Sequence, residues 1–223
     1  MSLTTPLSQD QAAHRARVAG VLMLSSAVLS VLMMAHHPSV HSRDAHEVVS
    51  LITSQAAAAQ WVHGILIFLL GTTLLAYFEV TRRLQRAGLQ SEAALLSYGI
   101  GVTLMIGAAL VSGFLIPRLA SRYANGERLE IFAELLNFAA SSNQVLAYAG
   151  VWAMSLGALL WSLLILRGGN RLVGLYGIAA SLVPVIVLAL NVVTLNVTGM
   201  MIVVLIQASW NAMIGIQLFR NRL

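Results

Sequence analysis

No cysteine occurs anywhere in the 223 residues. Disulfides, thiolate metal sites and thiol redox chemistry are thereby excluded, so any metal must be held by nitrogen, oxygen or methionine sulfur. Lysine is missing as well, and all 13 basic residues are arginines. Charged side chains make up only 9% of the chain, against about a quarter in a soluble domain. Hydrophobic residues reach 58% and the mean hydropathy is +0.82, a balance that fits lipid as the main solvent. The formal charge of +5 and a pI near 10.4 would suggest nucleic acid in a soluble protein. Here the arginines occupy short segments between apolar runs, the pattern of topology control, and nucleic-acid binding is rejected.

What the chain does contain is six apolar runs, at about 18–35, 61–78, 93–116, 138–166, 172–193 and 197–219. Each has the roughly 18 or more residues needed to cross a hydrocarbon core about 30 Å thick. None alternates with a period of two, and lipid requires every backbone group to be paired within its span, so the runs are read as helices. The expected fold is all-α, a single six-span membrane domain over residues 1–223. The first run follows arginines like a secretory signal, but it is longer than a signal's apolar core and ends MMAHHP, so an uncleaved span is expected.

Arginine placement predicts the orientation. Arg15, Arg17, Arg82, Arg83, Arg86, Arg167, Arg171, Arg220 and Arg222 fall on one side, and Arg43, Arg118, Arg122 and Arg128 on the other. The positive-inside rule then puts both termini in the cytoplasm and the two longer connections outside, facing the periplasm in a Gram-negative bacterium. In the first of these, Pro38 stops the opening helix. Asp44 and Glu47 form a capping-box pattern for a second helix running through VVSLITSQAAAAQ. The second has a turn at Asn125–Gly126 and an amphipathic segment leading into span four. The short last connection predicts a tight antiparallel pair of spans five and six. Ala149, Ala153 and Gly157, and Ala109 with Gly113, have the small-residue spacing of close helix packing.

Chemistry concentrates in MMAHHPSVHSRDAHE, residues 33–47, which holds four of the six histidines. His36, His37, His41, His46 and, at the matching depth of span two, His63 all fall on the outward side. Neutral imidazole is the commonest ligand for zinc, copper, iron and nickel. His63 sits within the apolar run WVHGILIFLL and needs a polar partner there. The expected ligand set is His36 or His37 with His41 and His63. His46 joins only if the Glu47–Gln60 segment folds back, because a continuous helix would part it from His63 by roughly 25 Å. The spacing matches no standard zinc motif. Met33 and Met34 adjoin the cluster, and Met200 and Met201 lie near the same face, which favours copper slightly over zinc. Iron, or one haem between His36 or His37 and His63, is the lesser alternative. Clustered imidazoles also suit a pH-sensing loop.

Asp44 and Glu47 are candidates to orient an imidazole N–H. Glu127, Glu130 and Glu134 share one helix face; Glu130 and Glu134 are possible carboxylate ligands, with pairing to Arg118, Arg122 or Arg128 the simpler role. Asn143, Gln144, Asn191 and Asn196 are candidates for a polar cavity, against interhelical hydrogen bonding as the plainer reading. Gln207, Ser209 and Asn211 carry the same ambiguity. HExxH, G-x-S-x-G and Walker motifs are missing, so a non-enzyme is favoured. Histidine boxes of the desaturase type do not continue beyond His63, and Glu79 marks only the cytoplasmic rim of span two.

This layout is similar to that of small six-span bacterial inner-membrane proteins, which implies residence in a bacterial inner membrane. The expected function is an outward-facing metal-binding membrane protein, handling copper or zinc or serving a metalloenzyme complex. The alternatives are a structural or assembly subunit, a small-molecule or ion transporter, and a single-haem protein. The bilayer is the expected partner, with further membrane subunits or a homo-oligomer as candidates.

Overall fold

The computed structural model describes residues 8–39, 42, 44–84, 88–124 and 128–223. His41, Arg43, Arg86 and the expected Asn125–Gly126 turn with Glu127 lie outside the described residues. Within them the chain is all-helical: α1 (Gln9–Ala35), α2 (Ala45–Ser54), α3 (Ala56–Arg83), α4 (Leu89–Leu110), α5 (Ile116–Arg122), α6 (Leu129–Arg167), α7 (Arg171–Ala189) and α8 (Val197–Phe219). A π-helical turn, Val111–Leu115, joins α4 to α5, so residues 89–122 form one continuous span. Six helices are thus long and apolar enough to cross a membrane.

Local chemistry sets their limits. α1 starts at a capping box in which Ser8 and Gln11 each bond the other's backbone N–H. Asn170 and Asn196 cap α7 and α8 through side chains that accept from Val173 and Gly199. The fourth apolar run is the inner part of a 39-residue helix, since the amphipathic segment before it continues the same helix. The fifth run closes earlier than its hydropathy suggests. α7 ends at Ala189, and Asn191 takes a left-handed conformation (φ 54°) in the turn that follows.

The six spans stand in a ring that follows chain order: α1 packs on α3, α3 on α4, α4 on α6, α6 on α7 and α7 on α8, and α8 returns to α1. The most extensive contacts are α4 with α6, α1 with α8, and α6 with α7. The expected close pairing of spans five and six is therefore not the dominant one; α7 leans on α6 and α8 on α1. Glycines explain these seams. A β-carbon at Gly20 would meet Gly215 O and Phe219 N at 2.7 Å, and one at Gly157 would meet Ala94 O at 2.7 Å. On α6 the contact stripe runs through Gly150, Met154 and Gly157, while Ala149, expected in it, is exposed. Large apolar side chains such as Val21, Phe68, Leu75, Leu96, Leu175 and Leu205 face outward, as lipid contact requires.

The two ends of the ring differ. At the arginine-rich end Glu79 is buried, and its carboxylate takes short bonds from Arg82 (2.6 and 2.9 Å) and Arg83 (3.0 Å), with Arg15 at 3.6 Å. Arg83 also donates to the main-chain oxygens of Ala12 and Leu223, tying α1 and the segment after α8 to α3. Above this knot an aromatic plug fills the ring. Tyr77 stacks on Trp161 at 4.2 Å with planes 3° apart, Tyr98 lies 4.4 Å from Tyr77, and Trp210 is buried among the same core residues. Toward the opposite end the ring is hollow.

Candidate functional site

The hollow is a cavity of about 820 Å³ reached from the histidine end, where its lining residues Ser39, Asn196 and Thr198 are exposed. His37 and His63 stand at that end, and the floor is formed by buried Tyr98 and Asn211 with half-buried Gln207. Three local breaks in helix geometry build the histidine end. α1 stops at His36, whose N–H bonds back to Leu32 and Met33, and Pro38 follows. The helix expected to run through VVSLITSQAAAAQ breaks at Gln55, which frees α3 to enter the ring in its own direction while α2 lies over α5 and α6. The π-turn widens the third span at Val111–Leu115, a distortion often found where a helix serves a site. Gly113 of that turn is buried against the His63 side chain.

The result is one histidine pair. His63 is buried in α3, and its Nδ1 donates to Ala59 O at 2.8 Å. His37 is half-buried, and its Nδ1 donates to Pro38 O at 2.8 Å. The Nε2 atoms of the two rings are 3.2 Å apart, with the rings edge to face at 71°. A carbonyl can only accept, so each Nδ1 must carry the ring's proton when the imidazole is neutral. Each Nε2 then presents a lone pair to the other. Two lone pairs at hydrogen-bond distance repel unless a cation, either a proton or a metal ion, lies between or beside them. Burial lowers the pKa of His37 below its usual value, against a smaller opposing effect of the Pro38 carbonyl. A proton is therefore the poorer candidate near neutral pH.

Of the five candidate histidines, the described structure brings together these two. His36 is exposed and its ring bonds to Leu32 O on its own helix. His46 is exposed beside a separate hollow with Tyr123 and Leu129, carried there because α2 packs on α5 and α6. Among the described residues, no group of three or more histidine, aspartate or glutamate side chains converges as a metal cage would. Asp44 caps α2 by accepting from Glu47 N at 3.0 Å, and Glu47 accepts from Ser42 Oγ at 2.6 Å; both carboxylates are engaged in the loop. Glu130 and Glu134 are exposed on α6, and no ion pair among the described residues joins them to Arg118, Arg122 or Arg128. Met34 is buried and lines the cavity, while Met33 is half-buried and does not.

Asn143, Gln144 and Asn196 line the cavity near its mouth, and Asn191 is exposed in the turn outside it. Gln144 donates to Leu195 O at 2.9 Å and so pins the α7–α8 connection to α6. Ser112 of the π-turn donates to Ala108 O and lies 3.4 Å from Asn143 Oδ1. Sequence reasoning passed over Tyr98, Thr73, Ser112 and Gly113 as site residues. A hydroxyl next to a glycine inside an apolar run is the signal that could have drawn attention to Ser112 and Gly113. No protein-family model, curated protein or solved structure gives a significant match to the chain.

Proposed function

We propose that this is a metal-binding membrane protein whose ion is held at the outward face by His37 and His63, serving copper or zinc handling or a metalloenzyme complex. The observation that carries the assignment is the opposed Nε2 pair at 3.2 Å with both Nδ1 protons committed to backbone carbonyls. Two ligands about 2.0–2.1 Å from a tetrahedral ion lie about 3.3 Å apart, close to this separation. A linear pair, as in axial haem ligation, would stand about 4 Å apart, so a bent two-nitrogen site fits better than a haem. The carbonyl bonds are the outer support that metal-binding imidazoles usually have: they fix the tautomer and the ring orientation. Met34, which lines the same cavity, is a soft donor suited to copper. The arginine asymmetry supports a bacterial inner-membrane orientation with both termini cytoplasmic and this pair outside.

The test is elemental analysis and an absorption spectrum of the detergent-purified chain carrying no histidine tag. About one copper or zinc per chain is expected, and a His37→Ala, His63→Ala double variant should lose it while keeping its helical circular dichroism. A Soret band would replace the two-nitrogen assignment with haem. Protein that stays metal-free after incubation with each ion would sink the assignment altogether.

A further inference from the structure

Below the histidine pair the cavity has chemistry of its own. From Ser112 near the mouth to Tyr98 at the floor is fourteen residues of one span, about 21 Å of helix. Spread over that depth, 820 Å³ describes an elongated cavity, within the size range of small-molecule sites. Its walls between the two polar ends are mainly apolar, with Leu66, Leu70, Met105, Val151 and Val203 among them and the hydroxyls of Ser30, Thr73 and Ser155 interspersed. Apart from the two histidines at the mouth, none of its described lining residues carries a charge.

The floor offers donors. Tyr77 gives its hydroxyl proton to Asn211 Oδ1 at 2.7 Å. Gln207 Nε2 reaches Tyr98 Oη at 3.4 Å and Asn211 Oδ1 at 3.5 Å, both at the outer limit of a hydrogen bond. The Tyr98 hydroxyl receives that amide, with the Tyr77 hydroxyl and the Asn211 amide as its other polar neighbours. An amide N–H and a phenolic O–H thus converge, weakly satisfied, at the closed end of an apolar shaft. Weakly satisfied donors in an apolar span call for an acceptor. A carboxylate or phosphate would arrive there with no cation to pair it, at high cost deep in a span. A neutral carbonyl meets the need without that cost.

We infer that the shaft binds one uncharged, elongated lipophilic molecule whose head bears a carbonyl acceptor, the chemistry of an alkyl-substituted quinone, with the carbonyl on Tyr98 and Gln207 and the tail toward the histidine end. Tyr77 and Trp161 behind the floor hold Tyr98 in place through the aromatic stack. The site is separate from the metal pair, so either assignment can fail alone.

The experiment titrates the delipidated, detergent-purified full chain with 2-decyl-1,4-benzoquinone, following tryptophan fluorescence and thermal unfolding. Decylbenzene and decanoate run in parallel as a tail without an acceptor and a tail with a charged head. The quinone should saturate at one per chain and raise the unfolding temperature, binding at least tenfold more tightly than either control. Gln207→Leu should weaken it about tenfold while leaving metal content unchanged, and Ala109→Phe, which narrows the shaft, should abolish it. Equal binding of decylbenzene would overturn the role of the floor donors, and tighter binding of decanoate would overturn the neutral head. A quinone that does not saturate or shift unfolding leaves a water-filled shaft and overturns the site. The comparison of the three probes needs no variant, so a substitution that fails to fold cannot leave the question open.

Discussion

Gly113 of the π-turn lies so close to His63 that a β-carbon there would overlap the Cβ and Cγ of the imidazole. The third span thus sets where His63 can stand, and with it the distance to His37. Gly113→Val should push the ring aside and weaken metal binding by about 10–100-fold, the usual cost of disturbing a ligand's support. It should also lower stability by about 1–3 kcal/mol through overpacking. Gly64 is the control, because only Phe114 approaches it, at 3.9 Å; Gly64→Ala should leave metal affinity unchanged. Metal titrations of both variants would check this.

At the proposed site protons and metal would compete for the same Nε2 atoms, so affinity should fall with acidity. Burial holds the His37 pKa below the ordinary imidazole value. The ring then stays neutral to lower pH than an exposed histidine does, and affinity should persist to correspondingly lower pH before it declines. The sign for stability is the same. A histidine with a depressed folded-state pKa contributes stability above its unfolded value near 6.5 and loses it as pH falls toward the folded value. In metal-free protein, His37→Gln should flatten that decline in unfolding temperature below about pH 6.5. An unchanged slope would show that His37 titrates like a solvated ring.

The spans were legible because hydropathy is one-dimensional: an apolar run must end where charge or turn residues appear, whatever packs beside it. Ring closure was not, because it depends on which helix face meets which. The choice between Ala149 and Gly150 as the contact line is a rotation of one residue that composition does not record, and only the fit of Gly150 against Met105 and Gly101 decides it. The histidines show the same division. Their sequence proximity suggested one cluster, but the backbone at Pro38 and at Gln55 turns His46 away and leaves His37 and His63 face to face. Tyr98 and Gln207 lie 109 residues apart and meet only through the ring.

Glu79 accepts three short bonds from two arginines and lies near a third, and that knot also reaches the Ala12 and Leu223 main-chain oxygens through Arg83. Glu79→Gln keeps the shape but removes the charge that gathers Arg15, Arg82 and Arg83. The expected loss is about 1.5–3 kcal/mol, the range for hydrogen bonds to charged groups, since Arg15 is half exposed and partly screened. Thermal unfolding in detergent would measure it. A variant as stable as the parent would show the three arginines to be independently solvated.

The seam between α1 and α8 closes the ring, and it depends on Gly20 facing Gly215 and Phe219 at backbone distance. A side chain at Gly20 has no flexible neighbour to displace: what it meets is Gly215 O and Phe219 N, each at 2.7 Å, and neither can move without shifting α8. Gly20→Leu should therefore part the two helices and cost about 1–3 kcal/mol, seen as a lower unfolding temperature. Gly71 sits in the apolar stretch of α3 with nothing within 4 Å of its would-be β-carbon, so Gly71→Leu should be tolerated within about 0.5 kcal/mol. Because α8 also carries Gln207 and Asn211, parting the seam should loosen the floor of the shaft as well. Tryptophan fluorescence from the buried Trp161 and Trp210 would then shift to the red in Gly20→Leu but not in Gly71→Leu. If both variants unfold alike, ring closure rests on contacts other than this crossing.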